Sequence, residues 1–124
     1  MATQDLDITS ILTTAANVGG IFTLNNTGKQ TVQFNDTAVS SATVALTTSP
    51  VEYIAASVAK VTYVYIKNLD DTNHVILMTA AGVSHIWGRI LPGESSIFSV
   101  APSVGMDLKA NVALNIEYAF FEAP

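Results

Sequence analysis

The fold is decided by Val61–Ser99, whose sequence is VTYVYIKNLDDTNHVILMTAAGVSHIWGRILPGESSIFS. Short apolar runs, rich in β-branched and aromatic residues, alternate there with polar or Gly-containing breaks. Runs of this length and composition, bounded by turn residues, predict β-strands. We interpret the stretch as an antiparallel meander. The four predicted strands are Val61–Lys67, His74–Thr79, His85–Ile90 and Ser95–Ser99.

The turn before the fourth strand is specified by its residue types. Leu91-Pro92-Gly93-Glu94 places Pro and Gly at the two central positions of a four-residue turn. Pro fixes a negative φ at the first centre, and Gly tolerates the positive φ that the second centre requires. The sequence therefore predicts a type II turn at this point.

Strand patterns continue on both sides of this stretch. The last run, Val112–Phe121, has the cleanest two-residue alternation, with Leu114, Ile116, Tyr118 and Phe120 on one side. Such alternation is typical of a strand with one buried face. About eight to ten strands, with turn signals every ~8–12 residues, predict an all-β sandwich or barrel. The other predicted strands are Asp5–Leu12 (an edge strand or arm), Ile21–Leu24, Thr31–Phe34, Ala42–Leu46 and Met106–Ala110.

The segment Ser49–Lys60 fits two structures. Ser49 and Glu52 have the spacing of a capping box, with Pro50 at the first helical position, which favours a short helix. The alternative is a short strand at Glu52–Ala55 followed by an irregular loop. The sequence leaves both open.

The composition limits the classes of function. The chain has 124 residues, enough for one domain, and 37 of them are Val, Ile or Thr. Only 12% are charged, the net charge is −5, and the five cations are scattered, which argues against binding nucleic acid or an anionic membrane. Cys is absent, and neither a secretory signal nor an apolar run of about 18 residues is found. With so few solvating charges, we expect protein partners to cover part of the surface.

Three segments in the second half of the chain resemble small jelly-roll structural proteins of tailed bacteriophages. They are YVYIKNLDDTNHV, HIWGRILPGESSIFSVAP and DLKANVALNIEYAFFE. Members of that family combine a KNLD-x-TN loop, an R/K-x-LPGE-s-x-x-F segment, an Ala-Pro pair and a closing K-A-N-x-A strand. The matching positions are Lys67–Asp70 with Thr72 and Asn73, Arg89, Leu91–Glu94, Phe98, Ala101-Pro102, and Lys109–Asn111 with Ala113.

The resemblance implies an antiparallel jelly-roll β-sandwich of about eight strands. Residues 13–124 are expected to form it, with residues 1–12 as an N-terminal arm or edge strand. It also implies a capsid decoration or cement protein: a homotrimer that binds the major capsid protein at capsomer junctions on the virion exterior, and is present in the host cytoplasm during assembly. Other members of such families lie in tails or head fibres. The alternative is therefore a jelly-roll module that binds host-surface carbohydrate.

The residues of a catalytic or metal centre are not apparent. His74 and His85 are the two histidines, whereas a cupin-type enzyme, a third possible class, needs a His-x-His pair with a further His and Glu. Asp70 and Asp71 lie near His74 in sequence, and we interpret NLDDTN as a solvated Asx-type turn rather than a metal site. No G-x-S-x-G motif or evident carboxylate pair is found. We expect no enzyme activity, catalytic residue, metal or cofactor.

Aromatic residues on the predicted strands are assigned to the core, where such rings bury large areas, rather than to a sugar-stacking platform. Trp87 is the exception, because a single large ring beside a turn can anchor a protein contact. The aromatic residues are Tyr63, Tyr65, Trp87, Phe98, Tyr118 and Phe120.

The acidic and apolar segment Asp5–Leu12 is either a disordered leader or an arm across a neighbouring subunit. The interface candidates are Asp5, Leu6, Ile8, Ile11, Leu12 and Trp87.

Overall fold

The computed structural model describes residues 3–11, 27–35, 39–80 and 85–124. These ranges contain ten β-strands and no helix, which confirms the all-β prediction. Leu12 and the predicted strand Ile21–Leu24 lie outside the described residues. The strands are β1 (Thr3–Ile11), β2 (Thr27–Asn35), β3 (Val39–Leu46), β4 (Val51–Ile54), β5 (Thr62–Asn68), β6 (Val75–Met78), β7 (Ile86–Ile90), β8 (Ser95–Val100), β9 (Met106–Ala110) and β10 (Leu114–Glu122).

The strands form three sheets in which every pair is antiparallel. β1 and β2 form a two-stranded sheet, here called the N-terminal ribbon. Sheet I has the order β3-β10-β5-β8. Sheet II has the order β4-β9-β6-β7.

The pairing within sheets I and II is nested along the chain. β6 pairs with β7, β5 with β8, β4 with β9, and β3 with β10. The segment from β3 to β6 therefore runs beside the segment from β7 to β10, like one long hairpin. Successive portions of that hairpin lie alternately in sheet I and sheet II.

The meander predicted for Val61–Ser99 is wrong. Its inner strands β6 and β7 pair in sheet II, whereas its outer strands β5 and β8 pair with each other in sheet I. The loop 69–74 and the turn 91–94 thus connect strands of different sheets. Turn residues show where the chain reverses, but β5 and β6 are apolar on both faces, so the local sequence does not select their partners.

The inner faces of sheets I and II share one hydrophobic core. Val64, Ile66, Leu108 and Ile116 are at most 1% exposed within it. Alternation along each strand directs these side chains inward. Burying a side chain of this size contributes about 1.5–3 kcal/mol, so the shared core is what holds the two sheets together. The cluster also contains Leu46, Ile54, Val75, Leu77, Ile90, Val100, Met106, Ala110, Leu114 and Phe120.

The segment Ser49–Lys60 contains a strand followed by a loop, so the helix alternative is wrong. β4 pairs with β9, with Val51 opposite Leu108. After β4, Val58 N donates to Ala55 O over 3.1 Å and forms a turn. Pairing with β9 satisfies the backbone of β4 and buries its last residue, which outweighs the local capping signal.

The turn at Leu91–Glu94 is confirmed. Gly93 has φ +72°, and Glu94 N donates to Leu91 O over 3.1 Å. Positive φ at the second central residue is the conformation for which Gly is needed.

Candidate interaction surface

The N-terminal ribbon lies on the outer face of sheet I. Leu6 is partly buried and Phe34 is buried on the ribbon face that meets the sheet. The rings of Phe34 and Phe121 meet edge to face, with centroids 5.0 Å apart. On the opposite ribbon face, Thr31 Oγ1 donates to Asp7 Oδ1 over 2.7 Å. The ribbon is therefore a small amphipathic sheet with one face on the protein and one in water.

The outer face of sheet I is apolar and aromatic beneath the ribbon. Tyr65 of β5 lies opposite Ala119 of β10 and Ile97 of β8, and Tyr63 lies opposite Phe121. Together with Leu6 and Ile8 of the ribbon, these residues line a cavity of about 310 Å³. The ribbon and sheet I thus border apolar space outside the shared core, and this space is open to solvent on one side.

Tyr63 and Tyr65 face this cavity, so their assignment to the core is wrong. In β5, the inward positions are occupied by Val64 and Ile66, and strand alternation directs the two tyrosines outward. Tyr65 Oη donates to Glu117 Oε1 over 3.2 Å. Partial burial, and secondarily Glu117, raises the pKa of Tyr65 above its ordinary value of 10.0.

The outer face of sheet II has a different character. Glu52 of β4 lies opposite Asp107 of β9, and Ile76 of β6 has Lys109 on one side and Arg89 on the other. The outer face of sheet II therefore carries more charged residues than the part of the outer face of sheet I that lies beneath the ribbon.

Trp87 lies where the edge strands β7 and β8 of the two sheets meet. Its side chain is 48% exposed, and its ring meets that of Phe98 edge to face, with centroids 5.4 Å apart. Phe98 itself packs against the shared core. A large ring held on one side and open on the other is suited to contact with a partner.

The assignment of the other strand aromatics to the core is confirmed for three residues. Phe120 is buried, and Phe98 and Tyr118 pack against the core cluster. The rings of Tyr118 and Phe120 stack with centroids 4.6 Å apart. Tyr53, which the sequence analysis does not single out, meets Tyr118 edge to face at 5.6 Å. Burial raises the pKa of Tyr53, with a smaller contribution from Tyr118.

The predicted arm is a paired strand. β1 pairs with β2 along its whole length, so the disordered-leader alternative is wrong for residues 3–11. Leu6 and Ile8 face sheet I of the same chain, and Asp5 is exposed on the other ribbon face. Ile11 is the last residue of β1. Leu6 and Ile8 therefore line the space between the ribbon and sheet I of their own chain, whereas Trp87 belongs to β7 of sheet II.

Two apolar residues at the margins of sheet I are missed by the sequence analysis. Ile97 of β8 is 51% exposed and Val39 of β3 is 43% exposed. Both lie on the outer face, since Ile97 is opposite Tyr65 and Val39 is opposite Phe121. The sequence does contain a signal for an apolar outer face. β5 and the end of β10 are apolar at consecutive positions, which indicates that both faces of sheet I are covered.

The loop 69–74 and the turn 91–94 are joined at one end of the two sheets. Asn68 is fully buried, and its Nδ2 donates to Asn73 O over 2.8 Å and to Ile90 O over 3.1 Å. Its Oδ1 accepts from Asp70 N over 2.9 Å, and Gly93 N donates to Asp70 O over 2.9 Å. These bonds explain why the KNLDDTN and LPGE motifs occur together. Their residues hold the turns in place.

Asp70 closes the loop 69–74 with its carboxylate. Oδ2 accepts from Asn73 N over 2.6 Å and from Thr72 N over 2.9 Å. The bonds from Asn73 and then Thr72 hold the pKa of Asp70 below its ordinary value of 3.8. This is the Asx-type turn that the sequence predicts.

The candidate metal ligands do not converge. Within the described ranges, no three His, Cys, Asp or Glu side chains are grouped so that they could hold a metal ion. Asp70 accepts backbone hydrogen bonds, Asp71 Oδ1 accepts from Thr72 Oγ1 over 2.9 Å, and His74 N donates to Asn111 Oδ1 over 2.8 Å. The cluster Asp70, Asp71 and His74 thus forms part of a hydrogen-bonded loop.

No protein-family model, curated protein or solved structure matches this chain. Among the described residues, none belongs to a helix long and apolar enough to cross a bilayer.

Proposed function

We propose that sheets I and II form a jelly-roll β-sandwich. A jelly roll places eight antiparallel strands in two sheets. The nested pairing of β3–β6 with β7–β10 supports this topology, because it is what a long hairpin produces when it is wrapped around a common core. The single hydrophobic cluster shared by the two four-stranded sheets supports the sandwich.

We further propose that the protein is a decoration or cement protein on the capsid exterior of a tailed bacteriophage. The observation that carries this proposal is the amount of exposed apolar surface. Nine large hydrophobic side chains of the described residues are 43–52% exposed, in a chain with only 12% charged residues. Single exposed apolar residues are common in proteins, so the support comes from their number together with the low content of charged residues rather than from one contiguous patch. The nine are Val39, Val51, Leu69, Ile86, Trp87, Leu91, Ile97, Val104 and Val112.

The proposed mechanism is bridging. A homotrimer at a capsomer junction binds the major capsid protein through three equivalent sites, so separating the capsomers requires breaking several contacts together. Linked contacts of this kind can raise overall affinity by about 10²–10⁴ without any new contact. The net charge of −5 suits an outer surface away from packaged DNA. This mechanism needs neither cofactor nor catalytic residue, and neither nucleic acid nor membrane is a partner.

Binding to closed shells tests the proposal. Empty shells assembled from the major capsid protein of the same virus are mixed with the purified protein and sedimented. Protein added after closure reaches only the exterior, so saturable co-sedimentation and a higher shell-opening temperature are the expected results. Protein that stays in the supernatant, or bound protein that leaves the opening temperature unchanged, contradicts the proposal.

A second candidate function is favoured by Trp87. A ring that is 48% exposed and held by Phe98 offers a surface on which a sugar can stack. The protein is then a tail-fibre or head-fibre module for host-surface carbohydrate. A glycan array distinguishes the two candidates, because specific hits that vanish in Trp87→Ala and persist in Trp87→Phe identify carbohydrate binding through the ring. Absence of hits in the unmodified protein rejects it.

A further inference from the structure

The two sheets differ in how their edges are protected. An edge strand presents unpaired backbone N–H and C=O groups, and natural proteins block such edges with charges, proline or bulges. Sheet II is blocked on both sides: β4 carries Glu52 and β7 carries Arg89. The pairing of each also contains a register shift.

Within the described part of the chain, sheet I is open on both sides. Its edge strands are β3, with the sequence VSSATVAL, and β8, with the sequence SSIFSV. Neither strand contains a charge or proline, and both pair with their neighbours in continuous register. Each also presents an exposed large apolar residue on the outer face, Val39 in β3 and Ile97 in β8. Among the described residues, no strand pairs with the free side of either edge.

The directions of the two edges make them complementary. Sheet I has four strands of alternating direction, so β3 and β8 run antiparallel to each other at its opposite margins. When copies are related by rotation about an axis along the strands, β8 of one copy meets β3 of the next in antiparallel orientation. Such a head-to-tail contact closes into a ring when the rotation allows it.

We propose that copies of this chain associate by pairing β8 of one copy with β3 of the next, which continues sheet I from subunit to subunit. The edge backbones supply the hydrogen bonds, and Val39 and Ile97 lie on the same outer face of the continuous sheet. A ring of three copies leaves no edge of sheet I open. The number three rests on the proposed trimer, whereas the edge pairing does not depend on capsid binding.

Single lysines on the outer face test the contact. Lysine is a residue with which proteins block sheet edges. Ile97→Lys blocks β8 and Ser41→Lys blocks β3, both at exposed positions that point away from the core. Val112→Lys is the matched control, because Val112 is equally exposed and lies in the turn between β9 and β10. Circular dichroism and urea unfolding establish that each variant is folded.

Light scattering after size exclusion measures the molar mass of each protein in solution. The unmodified protein and Val112→Lys have three times the mass of one chain, and each edge variant has the mass of one chain. A mixture of Ile97→Lys and Ser41→Lys gives a dimer and nothing larger, because one intact β3 and one intact β8 remain to pair.

Each other outcome overturns the proposal in a distinct way. If Ile97→Lys or Ser41→Lys remains trimeric, the proposed oligomer is retained but the edge contact is rejected. If the unmodified protein is a dimer that dissociates in Ile97→Lys but not in Ser41→Lys, β8 pairs with β8 of a second copy about a two-fold axis. A monomeric unmodified protein rejects both trimer and edge pairing, while co-sedimentation with shells still tests capsid binding separately.

Hydrogen exchange on the unmodified chain provides a test that needs no variant. Backbone amides of β3 and β8 are expected to exchange at least tenfold more slowly at concentrations that favour the oligomer than after dilution. The edges of sheet II, β4 and β7, are the internal control and are expected not to change. Equal exchange in β3 and β8 at both concentrations contradicts the proposal.

Discussion

Asn68 is the buried polar residue on which the loop end of the two sheets depends. Its side chain satisfies two carbonyls and one backbone N–H, and it is 0% exposed. Because Asn68→Ala leaves these buried groups without partners, we expect a loss of about 2–4 kcal/mol in the free energy of unfolding. Urea denaturation measures it. Asn115→Ala, at an exposed position of β10, is the control and is expected to cost less than about 0.5 kcal/mol.

Asp70 makes part of the stability depend on pH. The hydrogen bonds from Asn73 and Thr72 lower its pKa in the folded protein, so the ionised form favours folding. That contribution is complete above the unfolded-state pKa of about 3.9 and is lost as the pH falls through the lower folded-state pKa. Urea midpoints between pH 6 and about pH 2 are expected to fall less steeply for Asp70→Asn than for the unmodified protein. Identical acid profiles contradict the assignment.

Gly93 and Gly105 form a matched pair with φ of +72° and +70°. A Cβ on Gly93 meets nothing within 4 Å, whereas one on Gly105 lies 2.6 Å from both Ala80 Cβ and Ile54 O. Gly93→Ala therefore costs backbone strain alone, about 1–2 kcal/mol. Gly105→Ala adds overpacking and is expected to cost at least about 3 kcal/mol. Thermal unfolding of the two variants compares them, and equal losses would show that the space around Gly105 does not matter.

The N-terminal ribbon is expected to open separately from sheets I and II. A two-stranded sheet is marginal alone, and this one is held by contacts such as that between Phe34 and Phe121. Phe34→Ala is expected to lower the local opening free energy by about 2 kcal/mol, and so to speed amide exchange in β1 and β2 roughly thirtyfold. Gln33→Ala, on the exposed ribbon face, is the control. Equal acceleration throughout sheets I and II would show that the ribbon is part of the global unfolding unit.

At the level of strands, the sequence predicts where a strand lies better than it predicts which strand it pairs with. β10 alternates cleanly and β9 is predicted at Met106–Ala110, which the structure confirms. The inward face of β5 is also not predicted, because the large rings of Tyr63 and Tyr65 can be buried as well as Val64 and Ile66, and alternation alone does not show which set faces the core. The ribbon supplies the missing reason, since it covers the tyrosines from residues that are distant in sequence.

The polar connections between strands, unlike the strand pairing, are predicted well by the local sequence. The LPGE turn and the Asx-type loop follow from local residue chemistry, and both are confirmed. That Asn68 is a buried centre between them is not predictable locally, because one of its partners, Ile90, lies 22 residues away in sequence. Ile97 and Val39 are missed for the same reason. They become neighbours of Tyr65 and Phe121 only through the order of strands in sheet I.

For the whole molecule, Trp87 is a built-in reporter because it is the one tryptophan of the chain. If the junction of β7 and β8 contacts the capsid, its emission is expected to shift to shorter wavelength and acrylamide quenching to fall when shells are added. The control is the double variant Trp87→Phe/Val112→Trp, which moves the indole to the turn between β9 and β10. A smaller change in its emission and quenching is expected when shells are added. Shells that bind the protein but leave Trp87 emission unchanged would place the contact elsewhere.

The position of β10 has a consequence for biosynthesis. This strand lies between β3 and β5 in sheet I, yet it leaves the ribosome after both. Until it emerges, β3 has no other partner among the described strands and β5 has only β8, so the gap in sheet I is filled across a long interval of sequence. We expect incompletely synthesised chains to expose the free edges of β3 and β5, and therefore to bind chaperones or to aggregate more readily than the finished chain.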